Sequence, residues 1–167
     1  MTSFEIDTAR PPLHGALLYV QSEHSIDFEP SSLNALTNRT GVGGSASLSV
    51  GTLQIEVAVD TGLLIYPWGY HPSESWSRQP LPPVVVRSAS VRCVPDVTLV
   101  AGVGYDITES GNWSTFYDDA TGWLCVTDRS LPLEPMEVFE FATSVAASLD
   151  GSRLTGLWLK PAFVLFR

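Results

Sequence analysis

The sequence predicts a mainly β protein: an antiparallel sandwich, or a highly curved sheet or barrel, of about ten strands, with one short helix near residues 30–37. Three observations carry this. Leu53, Ile55, Val57 and Val59 alternate with Gln54, Glu56 and Ala58, the period of a strand with one buried face. Similar alternating segments recur along the chain, joined by short Asp, Gly and Pro turns. A strand, an Asp- and Gly-bearing turn and an aromatic return strand occur at 57–68, 116–125 and 145–158. Their uneven spacing excludes a solenoid or propeller and fits an antiparallel meander.

In chain order, residues 1–12 end in Pro11-Pro12 and read as a loose arm of a single domain spanning 1–167. Ala16 to Val20 and Ser25 to Phe28 read as strands. Pro30 to Leu36 reads as a helix, with Leu33 and Leu36 on one face and Gly41 to stop it. Ser45 to Val50 alternates. Leu53 to Asp60 then enters a hairpin at Asp60-Thr61-Gly62, where Asp can bond its own backbone and Gly tolerates positive φ. Leu63 to Tyr66 is apolar throughout, as in a strand covered on both faces. It leads into an irregular stretch holding Pro67, Pro72, Pro80, Pro82 and Pro83. Val84 to Val94 reads as one long strand, with Val97 to Tyr105 returning beside it. Residues 106–112 and 128–134 read as connectors, around a hairpin of 113–117 and 123–127. Residues 137–149 fit helical and strand periods alike; Asp150-Gly151 followed by Leu154 to Leu159 favours a strand and a hairpin. Ala162 to Phe166 closes the chain.

The 167 residues are enough to bury a core without disulfides or metal. Nine Lys and Arg against eighteen Asp and Glu give a net charge of −9. Such a field repels phosphate backbones and argues against nucleic acid, while favouring a basic protein partner or a cation. No apolar run of about 18 residues is present to span a membrane. Cys93 and Cys125, with no export signal ahead of them, suggest a reduced, cytoplasmic protein.

Few motifs carry chemistry. His14, His24 and His71 lack metal-ligand spacing, and the cysteines form no Cys-x-x-Cys, so no metal or other cofactor is expected. Asp106, Glu109, Asp118, Asp119 and Asp128 crowd one stretch, where paired carboxylates would suit a glycosidase, although solvated turn residues have the same composition. Val59-Asp60-Thr61-Gly62 resembles the active-site motif of aspartic proteases, whose two carboxylates share a proton. The resemblance covers only these residues, Leu63 departs from the family pattern, and no second Asp-Thr-Gly exists. It would imply a homodimer pairing Asp60 with its mate. A hairpin turn made of ordinary turn residues explains the same motif.

The stretch from Trp68 to Arg78 is the candidate binding surface. Trp68, Tyr70, His71 and Trp76 offer large area at low entropic cost, and Glu74 and Arg78 add polar contacts. The same aromatics would also serve as a lid on the core. The expected role is binding rather than catalysis: recognition of a protein partner or of a second copy, with a sugar or other small molecule as the alternative ligand.

Overall fold

The computed structural model describes residues 2–7, 10–107, 112–128, 131 and 135–167. Among them lie sixteen strands and one α-helix. The strands are β1 (Ser3–Asp7), β2 (Gly15–Val20), β3 (Ser25–Pro30), β4 (Ser45–Val50), β5 (Leu53–Ala58), β6 (Leu64–Tyr70), β7 (Ser77–Arg78) and β8 (Val84–Ser88). They continue with β9 (Ser90–Val94), β10 (Gly104–Asp106), β11 (Ser114–Tyr117), β12 (Leu124–Thr127), β13 (Met136–Ala142), β14 (Val145–Asp150), β15 (Arg153–Leu159) and β16 (Ala162–Val164). The fold is mainly β, in two seven-stranded sheets and a two-stranded ribbon.

The first sheet runs β10-β4-β5-β6-β3-β2-β16, the second β7-β11-β12-β15-β14-β13-β8. The five inner strands of each are antiparallel, and the strand at each outer edge is parallel to its neighbour. Each inner set has one connectivity: a hairpin (β2-β3 or β11-β12), then a three-strand meander (β4-β5-β6 or β13-β14-β15) whose last strand pairs back onto the hairpin.

The registers agree as well. Gln54 faces Trp68, Ile55 faces Pro67 and Val57 faces Leu64; in the second half Ala146 faces Trp158, Ala147 faces Leu157 and Leu149 faces Leu154. Both pairings shift register close to the turn, after Val57–Leu64 in the first half and after Leu149–Leu154 in the second, so each last strand carries a bulge next to the matching Leu64 or Leu154. The bulge in β6 is where the sheet accommodates Pro67, which has no N–H for the ladder. The halves 15–70 and 114–159 therefore share one topology, and each passes its next strand to the other. Chain leaving β6 forms β7 on the edge of the second sheet; chain leaving β15 forms β16 on the edge of the first.

Strands β1 and β9 join the halves, with Phe4 opposite Cys93. Phe4 N–H donates to Ser152 O at 2.7 Å, and Cys93 N–H donates to Gly62 O at 2.7 Å. The meander turn of each half thus clasps one strand of the ribbon. At Gly62 the approach is so close that a Cβ would lie 2.2 Å from Cys93 O. The main core fills the space between the sheets, with Leu17, Ile26, Ile55 and Leu64 from one and Leu124, Val126, Phe141 and Leu157 from the other.

Several expectations change. Residues 3–7 are not a loose arm, because ribbon pairing satisfies their backbone groups. Residues 84–94 break at Ala89, where the chain leaves the second sheet for the ribbon. Residues 97–103 do not return beside them; only 104–106 is strand, parallel to β4. Residues 137–149 are strand, but as two strands turning at Thr143-Ser144. The helix α1 (Leu33–Thr40) starts later than expected. Ser32 caps it by accepting from Ala35 N–H, and Gly41 ends it. Leu36 packs on the core, whereas Leu33 is exposed. Glu109 and most of the 128–134 connector lie outside the described residues.

Candidate functional site

The stretch from Trp68 to Arg78 divides into two kinds of residue. Trp68 and Tyr70 lie two apart on β6, so both point to the outer face of the first sheet. They are 40 % and 58 % exposed. His71 and Trp76 turn inward, with 5 % and 8 % exposure. His71 bridges the halves: Nδ1 is 2.8 Å from Thr52 Oγ1 and Nε2 is 2.9 Å from Thr115 Oγ1. Burial pushes its pKa down to about 4, so the ring is neutral near pH 7. Its carbonyl accepts from Tyr19 OH at 3.0 Å. Trp76 packs between Tyr19 and Tyr117, with ring centroids 4.9 Å and 5.6 Å away. Those two tyrosines occupy matching positions in the two halves, each opposite the partner strand's Ile26 or Leu124. Glu74 is exposed. Arg78 pairs with Asp119 at 3.7 Å and lies over the Tyr117 ring. His71 and Trp76 are core, Trp68 and Tyr70 belong to the outer face of the first sheet, and Glu74 and Arg78 lie apart from that face, in the turn at 73–75 and on the edge strand β7.

Across the first sheet, Trp68 stands in a row. The row runs Ala162, Leu18, Asp27, Trp68, Gln54, Ser49 and Asp106. Asp27 is placed beside Trp68 by the adjacent Ile26–Gly69 pairing. The corresponding row of the second sheet is Ser77, Phe116, Cys125, Trp158, Ala146, Glu140 and Ser88. A tryptophan occupies the middle of both.

Around it the halves diverge. Trp158 is 1 % exposed and forms a second apolar cluster with Cys125, Val138 and Ala146. Leu81, Val84, Trp123, Leu131 and Met136 pack over that cluster. The covering chain is the segment from β7 to β8, which passes from one edge of the sheet to the other. Five residues separate Arg78 from Val84, and the six Cα steps between them span at most about 22 Å. Seven flat strands measure about 29 Å across. The second sheet is therefore bent toward this strap. Asp118 anchors it: Oδ2 accepts from Leu81 N–H at 3.0 Å, and Oδ1 accepts from Ala120 N–H at 3.0 Å. The Leu81 bond, ahead of those from Ala120 and Thr121, holds the Asp118 carboxyl below the usual carboxylate range.

In the first half the register places Asp27 where Cys125 stands, Gln54 for Ala146, Ser47 for Val138 and Val20 for Asp118. The face is polar around its tryptophan. Gln54 bonds Ser49, and Ser47 donates to Glu56 at 2.8 Å. Arg167 meets Asp27 at 2.7 Å and Glu29 at 3.5 Å. The Tyr70 ring meets His24 edge-on. Sequence reasoning found Trp68 and Tyr70 but missed Asp27, Gln54 and Ser47. Their signal was the alternation of β3, β4 and β5, which puts them on the side of the sheet opposite Ile26, Ile55 and Leu48.

Asp60 lies on the rim of a cleft of ≈ 450 Å³, with Glu5, Arg92 and Leu99 among its lining residues. Its Oδ2 accepts from Gly43 N–H at 2.8 Å, and a Cβ on residue 43 would sit 2.2 Å from Oδ1. Counting back from Leu64 and Leu154, its counterpart is Asp150. Both strands of the ribbon pass between the two turns, which the Phe4 and Cys93 bonds hold on opposite flanks. Asp60 and Asp150 therefore do not face one another within one chain. Cys93 and Cys125 are buried free thiols; burial pushes the Cys93 thiol up to about 12 and raises that of Cys125 as well. Among the described residues no group of His, Cys, Asp and Glu is arranged to hold a metal ion. No helix among them is long and apolar enough to cross a membrane.

Fold and site together define a β-sandwich of two halves with one topology, one sheet face sealed by its own chain and the matching face open. The chain matches no protein-family model and no curated protein in sequence.

Proposed function

We propose that this is a binding domain that recognises a protein partner through the outer face of its first sheet, centred on Trp68. One observation carries the reading: the row position that is sealed in the second half is open in the first, with the tryptophan kept and its neighbours made polar. An aromatic anchor among hydrogen-bonding side chains has the composition of a recognition surface. Its carboxylates and the net charge of −9 suit a basic partner. Two buried free thiols suit a reducing compartment, and we place the protein in the cytoplasm on that ground.

A second reading has its own support. Trp68 and Tyr70, side by side with Asp27 and Gln54, also resemble a platform for a sugar ring. The two are separated by selecting random displayed peptides on the immobilised domain, and on its Trp68→Ala variant, in parallel with an oligosaccharide array. Peptides enriched on the native domain and lost on the variant are the expected result. Oligosaccharide binding with no peptide enrichment would replace the first reading by the second.

A further inference from the structure

The segment covering the second sheet reads Gln79-Pro80-Leu81-Pro82-Pro83. Its prolines fix φ and donate no backbone hydrogen, so it stays extended without joining a ladder. It is held by the side chains of Leu81 and Val84 on the Trp158 cluster and by Leu81 N–H, which donates to Asp118. Its ends are tied by Gln79 N–H donating to Tyr117 O and by Met136 N–H donating to Pro83 O, each at 3.1 Å. The molecule thus displays, on one of two matching faces, how an extended segment lies over the central tryptophan.

On the first face the tryptophan is in the same place, but the apolar contacts are replaced by Asp27, Gln54 and Ser47. A segment lying there meets a carboxylate where the strap meets Cys125. The chemistry that satisfies this carboxylate is already present: the Arg167 guanidinium contacts Asp27 and Glu29. Glu56, one row away, adds to the negative field.

Resting on the protein-binding reading above, we infer that the open face takes an extended, proline-containing and basic segment of the partner. It lies across Trp68 as residues 79–83 lie across Trp158, with Arg or Lys where the strap has Leu81. The prolines keep the segment extended before binding, which lowers the entropy lost. The basic side chain pairs with Asp27 beside the indole, where a cation is also favoured by the ring face.

The test uses the full chain and a fluorescein-labelled peptide with the sequence of residues 77–86 carrying Leu81→Arg, followed by fluorescence anisotropy. Saturable binding is expected, weakened at least about tenfold by Trp68→Ala. Asp27→Ala should weaken it too, and raising salt from about 0.05 M to 0.5 M should weaken it several-fold. The thermal midpoint of each variant confirms that the fold is kept. A peptide with Leu81→Glu should not bind. Equal binding of the Arg and Glu peptides, or binding that survives Trp68→Ala, overturns the inference. So does tighter binding of the unaltered Leu81 peptide, which would assign the face to the strap of a second copy. The display selection separates the two levels. Peptides that need Trp68 but carry neither proline nor a basic residue overturn this inference and leave protein recognition standing; no Trp68-dependent peptide overturns both.

Discussion

Trp68 and Trp158 stand at the same point of the same strand in two halves of one topology, yet one ring is open and the other sealed. The strand order agrees, and so do the β5–β6 and β14–β15 registers with their bulges. The difference lies in what surrounds the ring: the strap crosses over Trp158, and the side chains of the flanking strands are apolar there. Leu124 to Thr127 and Arg153 to Leu159 are buried almost continuously, as strands covered on both faces must be. Ser25 to Pro30 and Leu53 to Glu56 alternate, as strands with one solvated face do. In the second half the apolar side chains and the strap over them seal the face together. The first half keeps the aromatic centre but carries Asp27, Gln54 and Ser47 where the second has Cys125, Ala146 and Val138.

The largest expected effect comes from truncating each tryptophan. Trp158→Ala removes a fully enclosed indole and should cost about 3–5 kcal/mol, read from urea unfolding. Trp68→Ala at the matching point should change stability by less than about 1 kcal/mol. Equal costs would show that the faces do not differ as described.

The contact between halves gives the next effect. His71 is held neutral between Thr52 and Thr115, with a folded pKa of about 4 against 6.5 for the free ring. As pH falls below about 6.5 the unfolded chain gains the proton first, so stability is full above that pH and declines toward pH 4. The shift is worth roughly 3 kcal/mol across that window. His71→Asn should lower stability near pH 7 and flatten the decline that stability curves show between pH 7 and 4. An unchanged slope would place the pH dependence elsewhere.

The smallest effect concerns the strap. Asp118→Ala removes the acceptor of Leu81 N–H, and hydrogen exchange at that amide should accelerate while the central strands of both sheets stay protected. Loss of protection throughout the second sheet would mean that the strap is required for the half to fold.

Much of this was legible from local pattern. The hairpin from Leu53, its turn at Asp60-Thr61-Gly62, and the return strands near 123–127 and 154–159 all follow from alternation and turn residues. The recurrence at 57–68 and 145–158 is the same hairpin of the two halves; the one at 116–125 is a different hairpin, which is why its spacing disagreed. What stayed hidden depends on distant pairing. The parallel edges β7, β8, β10 and β16 are short, and their partners lie far along the chain. The break at Ala89 follows from two sheets competing for one apolar run. Trp76 and Trp68 look alike in sequence because a loop aromatic carries no sign of which way it turns; only the Tyr19–Tyr117 pocket decides it.

The central claim is that matching positions of one topology are sealed in the second half and open in the first. It is tested most directly at Asp27, whose counterpart is the native thiol of Cys125. In the folded native chain neither Cys93 nor Cys125 should react with a thiol reagent such as dithiobisnitrobenzoate on the timescale of a free cysteine. Asp27→Cys should add one promptly reacting thiol and leave the two native ones protected until denaturant is added. A slow thiol at residue 27, or a Cys125 that reacts as fast, would contradict the account.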